Sequence, residues 1–263
     1  MRVTILGSGT SSGVPMIGCN CPVCTSDNPK NRRFRSSVAV EFNNRLVLLD
    51  TATDLRQQAL RYELPRVDAV LFTHAHADHI HGIDELRAFN FRFLRQIPCY
   101  GNQDVIRRIC KYFEYIFDEG ERESIRPFLT MHAVDGSFSL FGQTVTPVPL
   151  WHGSLSVLGY RLGDFAYLTD VSRIPDASWE LLGGLELVIL DALRPRPHKT
   201  HFSIDQALQV VERIKPKRAV LTHLSHMIEH EKVNKDLPKP VELAYDGMVL
   251  DLTESIETER SES

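Results

Sequence analysis

The chain reads as an α/β fold on three observations: recurrent apolar runs of strand length, helical segments between them, and acids or histidines where the runs stop. Runs that are apolar throughout, rather than alternating, are the pattern of strands buried on both faces. Polar residues at the carboxyl ends of such strands are where sites on α/β folds collect. The 263 residues suffice for one large domain or two small ones, and no repeat, low-complexity linker or composition break marks a second. At 43% hydrophobic and 24% charged residues, the chain can bury a full core like an ordinary soluble globular protein. A formal net charge of −4 argues against a broad nucleic-acid-binding footprint.

In chain order, residues 2–6 form a strand-like stretch too short for a signal sequence, and no window reaches the length of a membrane span. A cytoplasmic location is therefore expected. The glycine-rich segment Gly7, Gly9, Gly13 lacks the spacing and following helix of a dinucleotide fingerprint, and it lacks the Lys-Ser/Thr of a P-loop. It reads as a tight strand-to-loop turn whose N–H groups are candidates for touching a phosphate. The run 45–49 ends at Asp50, and a helix follows over 53–61, closed before Pro65. The run 67–72 ends at Thr73 and His74. Helices over 84–94 and 102–117 come next, the first ending before Pro98 and the second with Asn102 as its cap. Runs 165–168, 187–190 and 219–221 end at Thr169 and Asp170, at Asp191, and at Thr222 and His223. The helix over 203–214 has Ser203 and Gln206 in capping-box spacing and stops before Pro216. Residues 1–250 are read as one domain and 251–263 as an acidic, aperiodic tail.

The most informative segment is 73–79, where His74, His76, Asp78 and His79 stand within six residues just beyond a buried strand. Lone-pair donors crowded this tightly are costly to bury unless they share a cation. Imidazole with carboxylate suits zinc, manganese or iron rather than calcium or magnesium. A second group is Cys19, Cys21 and Cys24, whose spacing fits a thiolate site lacking its fourth ligand; a redox cluster is the other reading. Five cysteines form an odd number with no secretion signal, which argues against a disulfide framework. Cys99 and Cys110 read as inert core thiols. Arg32, Arg33 and Arg35 are either a solvated face or a phosphate-recognising edge. His81, His132 and His230 have no spacing partner and read as ordinary residues.

The motif from His74 to His79, with the later His152, Asp170 and His223, resembles the metallo-β-lactamase superfamily. The cysteine cluster and the phrase from Leu221 to His226 resemble, within it, the PhnP-type phosphodiesterases, which open phosphoribosyl cyclic phosphates. The resemblance implies a four-layer αββα sandwich with a dinuclear centre of zinc or manganese. His74, His76 and His152 would hold one cation, Asp78, His79 and His223 the other, and Asp170 would bridge them. A hydroxide held between two such ions is a nucleophile near neutral pH. Asp78 is thus counted with the catalytic residues as well as the ligands. His226 would complete a structural zinc site with Cys19, Cys21 and Cys24. His201 matches the family's proton donor, with His198 its competitor, and Asp50 matches a position that supports the ligands. Asp191 is placed similarly, with less to support it.

The expected activity is hydrolysis of a small phosphodiester, cyclic esters included. The alternatives are a transfer-RNA 3′-processing type of nuclease on the same fold and a non-catalytic binding protein of cofactor biosynthesis. A small phosphodiester is the expected partner, with no membrane; nucleic acid is expected only under the nuclease alternative, and dimers are common among such relatives, so a homodimer is a further expectation.

Overall fold

The computed structural model describes residues 1–118 and 125–252. Its first half runs β1 (Arg2–Gly7), β2 (Ser37–Phe42), β3 (Arg45–Leu49), α1 (Leu55–Arg61), β4 (Ala69–Leu71), α2 (Ala77–Ile80), α3 (Leu86–Phe93), β5 (Ile97–Gly101), α4 (Gln103–Tyr112), α5 (Glu114–Phe117) and β6 (Leu129–Ala133). Its second half runs β7 (Phe138–Leu140), β8 (Gln143–His152), β9 (Leu155–Leu162), β10 (Phe165–Leu168), α6 (Asp176–Trp179), β11 (Leu187–Asp191), α7 (Ile204–Ile214), β12 (Arg218–Thr222), α8 (His230–Asp236), β13 (Val241–Leu243) and β14 (Val249–Asp251). Two seven-stranded sheets result, ordered β14-β1-β2-β3-β4-β5-β6 and β13-β12-β11-β10-β9-β8-β7. Each has an antiparallel part and a parallel part, the parallel strands being β3 to β6 in the first sheet and β10 to β13 in the second.

The expected four layers are present, and strand alternation explains why their sequences look uniformly apolar. On β3, Val47 and Leu49 enter the core between the sheets, where they join Tyr160, Tyr167 and Ile189. Leu46 and Leu48 point the other way, into an outer core with Leu55, Ile83 and Ile109 from the helical layer. On β11, Ile189 faces inward while Val188 and Leu190 meet Ala207, Val211 and Ile214 of α7. Both faces of each central strand are therefore apolar, as parallel sheets covered by helices require. Such burial contributes roughly 1.5–3 kcal/mol per large aliphatic side chain.

Helix ends follow the local signals with informative departures. Ser203 Oγ accepts from Gln206 N, and Gln206 Oε1 accepts from Ser203 N, so the capping box forms. Asn102 caps α4, accepting from Val105 N at 2.8 Å. The helix expected over 102–117 is instead broken at Phe113, whose φ of −116° leaves the helical region. Its ring packs on the outer core and edge-on to His81. The helix expected from 53 starts at Leu55, because Thr53 Oγ1 donates to Ala77 O and Asp54 is engaged by Arg35. The segment expected to be one helix over 84–94 opens with a 3₁₀ turn, Ile83–Glu85, and stops at Leu94 with φ of 50°. Asp251 and Leu252, expected to belong to the tail, are paired: Asp251 with Arg2 on β1, and Leu252 N donates to Met1 O. The remainder, 253–263, lies outside the described residues. Among the described residues, no helix is long and apolar enough to cross a membrane.

Candidate metal centre

The tips of β3, β4, β8, β10 and β12, with α2, deliver the expected side chains to one rim of the sandwich. Three tip residues, Asp50, Asp170 and His223, have φ of 64°, 51° and 61°. Left-handed backbone is unfavourable for residues with a Cβ and concentrates where surrounding structure imposes it for function. All three side chains reach the donor cluster, Asp170 and His223 as members of it and Asp50 through His79 Nδ1.

Two groups of donors result. Those of His74, His76, His152 and Asp170 lie within 4.8 Å of one another, as do those of Asp78, His79, Asp170 and His223. Asp170 belongs to both. Its Oδ1 is 3.1 Å from His79 Nε2 and 3.2 Å from His223 Nδ1, while its Oδ2 is 3.8 Å from His74 Nε2 and 3.9 Å from His152 Nε2. Each carboxylate oxygen thus faces a different set of imidazoles.

The donor chemistry fits a divalent cation. His152 Nδ1 lies 2.7 Å from Thr200 O, and a carbonyl can only accept, so the proton is on Nδ1 and the lone pair on Nε2 faces the cleft. His79 Nδ1 lies 2.7 Å from Asp50 Oδ2. Its Nε2 is fully buried without a hydrogen bond, although Asp78 Oδ2 is 3.3 Å away. A buried imidazole nitrogen left without a hydrogen bond beside two carboxylates is a position for a cation. Burial alone would push His79 down, but Asp170, Asp78 and Asp50 outweigh it and raise its pKa well above the usual value. Burial likewise pushes Asp170 up, yet His223, His79 and His74 hold it well below the usual carboxylate range. The three carboxylates demand positive charge at this point, and a metal supplies it as well as a proton does. His74 and His223, lowered by burial, the latter to about 4, are neutral as ligands must be.

A supporting shell fixes these donors. Asp50 accepts from Thr73 N and Thr73 Oγ1, both at 2.8 Å, besides holding His79, so it supports the ligand loop and not merely its own strand end. Ser36 Oγ and Thr10 Oγ1 each lie 3.2 Å from a nitrogen of His223. His201, just ahead of α7, stacks on the His223 ring at 4.8 Å and directs Nε2 toward Asp170 at 4.0 Å. Its Nδ1 lies 2.9 Å from Asp191 Oδ2. That partnership gives Asp191 a defined role which its position at a strand end did not specify; the signal was the shared pattern of apolar runs ending in Asp. Burial raises Asp191 to about 6. Burial would lower His201, but Asp191 outweighs it and raises the imidazole. His198 is partly exposed, 5.4 Å from the His201 ring centre, and burial lowers it.

The second cluster also assembles. Cys19, Cys21 and Cys24 Sγ lie 3.2, 3.5 and 3.7 Å from His226 Nδ1. Hydrogen bonds from the backbone at Cys24 lower Cys21 to about 6, whereas burial raises Cys24 to about 11. Four soft or borderline donors meeting at one point suit a tetrahedral ion.

Other expectations resolve differently. Arg33 is neither a solvated face nor a substrate edge, being 2% exposed, and Arg35 is paired with Asp54 at 2.9 Å; only Arg32 is exposed. The glycine-rich turn spends Gly9 N, Thr10 N and Gly13 N on Phe34 O, Leu224 O and Thr10 O, so these groups are not available to a phosphate. Its glycines serve close approach, since a Cβ on Gly9 would sit 2.9 Å from both Arg33 Cβ and Phe34 O. Cys99 is buried as expected and Cys110 half-buried. His81 and His132 are exposed; His230 is buried with Nδ1 unpartnered.

Residues 45–224 match the model of the beta-lactamase superfamily domain, and the chain belongs to that superfamily, with the metallo-β-lactamase fold. Within it the chain is of the PhnP type. A solved structure described as a new diphosphatase from the PhnP family is 44% identical, with a TM-score of 0.89 over 96% of this chain and 98% of that one. An octanoyltransferase of Porphyromonas gingivalis is 36% identical over 253 residues, 94% of this chain and 51% of that protein. The chain thus spans about half the length of that relative. Zinc-bound PqqB from Methylobacterium extorquens shares the fold, at 20% identity and a TM-score of 0.78 over 96% of this chain and 100% of that one.

Proposed function

We propose that the protein is a metal-dependent phosphodiesterase acting on a small phosphodiester, cyclic esters included, at a dinuclear centre of zinc or manganese. The carrying observation is that Asp170 is common to both donor groups, with each of its oxygens facing a different one. When bound, two such cations lower the pKa of water toward neutrality and polarise a phosphoryl oxygen. His74, His76 and His152 would hold one, Asp78, His79 and His223 the other. Cys19, Cys21, Cys24 and His226 would hold a structural zinc. The small-substrate reading is supported by the net charge of −4, which gives no overall attraction for a polyanion.

The chain's own residues supply the remaining chemistry. His201 is the proton donor to the leaving alkoxide: Asp191 fixes the tautomer through Nδ1 and raises the imidazole, leaving Nε2–H toward the cleft. His201→Ala is expected to slow alkyl esters about 10²–10⁴-fold, the usual worth of a general acid. Activated aryl esters, whose leaving groups need no proton, should lose far less, and equal losses on both classes would rule out the acid role. Asp191→Asn should move the basic limb of the pH–rate profile to lower pH. The sign follows from the pair: Asp191 raises His201, so the wild-type acid stays protonated to higher pH than the variant's. An unmoved limb would separate the limb from this pair.

The PhnP-family diphosphatase supports a second reading, cleavage of a phosphoanhydride by the same residues. Parallel assays with cyclic diesters, linear diesters and a diphosphate ester decide between the two.

A further inference from the structure

The two metal-ligand clusters are joined by one buried cation. His223 and His226 stand three residues apart, so the span from Leu224 to Ser225 connects a ligand of the centre to a ligand of the cysteine cluster. Arg33 grips this span from inside the molecule. One guanidinium nitrogen donates to Ser225 O at 2.9 Å; the other donates to Ile228 O at 2.8 Å and Asn31 Oδ1 at 3.1 Å, while Nε donates to Lys30 O at 3.2 Å. Its backbone pairs in both directions with Val14, at 2.7 and 2.9 Å. Val14 packs with Val23, Cys24, Cys19 and Cys21, so the same residue braces the cysteine loop. Leu224 is fixed from the other side, its N donating to Ser8 O and its O accepting from Thr10 N, and Thr10 also touches His223.

An arginine this buried is costly. Burial lowers its pKa to about 10, with Asp246 and Glu229 opposing. No carboxylate pairs with it directly among the described residues; carbonyls and one amide take its protons. Five fixed donors in a planar fork suit the bracing of several carbonyls at once, which a lysine cannot reproduce.

We infer that Arg33 is a positioning residue that couples the cysteine cluster to the active centre by holding the span between His226 and His223. This rests on the ligand assignments proposed above. Freed from Arg33, Ser225 would loosen its end of the span and let His223 sample other orientations, and the Asp78, His79, His223 group would lose affinity for its cation. Ordering of the cysteine cluster would then no longer be felt at His223.

The test is metal content and hydrolysis of a bis-aryl phosphate against buffered free zinc, well below the melting temperature, for wild type, Arg33→Met and Arg33→Lys. Arg33→Met is expected to raise the zinc concentration that half-saturates the centre at least tenfold, with kcat at saturating zinc changed less than threefold. Arg33→Lys, which can reach one carbonyl but not all, should fall between the two and keeps the test open if the methionine variant does not fold. Cys21→Ser should also raise half-saturation in wild type, but by a smaller factor in the Arg33→Lys background. Unchanged half-saturation in a folded variant, with only a lower Tm, would reduce Arg33 to a structural role, and so would equal factors for Cys21→Ser in both backgrounds. If wild type itself neither retains metal nor hydrolyses the ester, the underlying functional reading fails instead.

Discussion

Asp170→Ala is expected to abolish hydrolysis, lowering kcat at least ~10³-fold while leaving a folded chain. Removing a single preorganised donor from an active site costs about 10²–10³ in rate, and Asp170 serves both donor groups at once. Without it, the His74, His76 and His152 group would hold no carboxylate, and the Asp78, His79 and His223 group only one. Metal content should fall together with rate. The left-handed backbone at Asp170, with φ of 51°, is costlier for alanine than for asparagine, so Asp170→Asn is the comparator that keeps the local conformation. Circular dichroism, elemental analysis and turnover of a bis-aryl phosphate report the outcome. Undiminished hydrolysis in either variant would remove Asp170 from the bridging position.

Cys21→Ser is expected to lower Tm by about 10 °C or more. A structural zinc site is worth roughly 10–16 kcal/mol in small isolated domains, where folding and binding are one event. Here the loop that carries the cysteines can open locally while both sheets stay intact, so only part of that energy bears on global unfolding. Losing ~3–5 kcal/mol shifts Tm by about 10 °C in a domain of about 250 residues, at roughly 2–4 °C per kcal/mol. Zinc bound to the cysteine cluster should disappear, whereas the rate at saturating active-site metal should stay near wild type. A lost rate with full metal content would contradict a structural role. Calorimetry with elemental analysis decides.

The second prediction starts from a motif visible in one dimension, and the first concerns the distant partner of another. His74, His76, Asp78 and His79 are legible because α2 and the loop before it keep four donors within six residues. Cys19, Cys21 and Cys24 are legible for the same reason. The partners of these segments are another matter: Asp170 lies about a hundred residues beyond His74, and the link from Asp50 to His79 crosses from one strand tip to a helix. For those positions the residue pattern showed only that apolar runs end in Asp or His, and the resemblance to a superfamily assigned their roles. Arg33 shows the limit most clearly. A run of arginines with no periodicity has the same appearance whether it is solvated or sealed inside, because burial of a cation depends on which distant carbonyls come to meet it.

The sequence by itself determined the α/β class, six of the strands, the principal helices and the two ligand-bearing loops, since these follow from local periodicity, caps and spacing, while the αββα sandwich was what the family resemblance implied. Only the tertiary structure decided that Asp191 orients His201, that the glycine turn gives its N–H groups to protein carbonyls, and that Arg33 ties one cluster to the other. The physical reason is the range of the interactions: turn chemistry and hydrophobic periodicity act over a few residues, while the hydrogen bonds that aim an imidazole or neutralise a buried charge are made wherever the sheets bring two strand ends together.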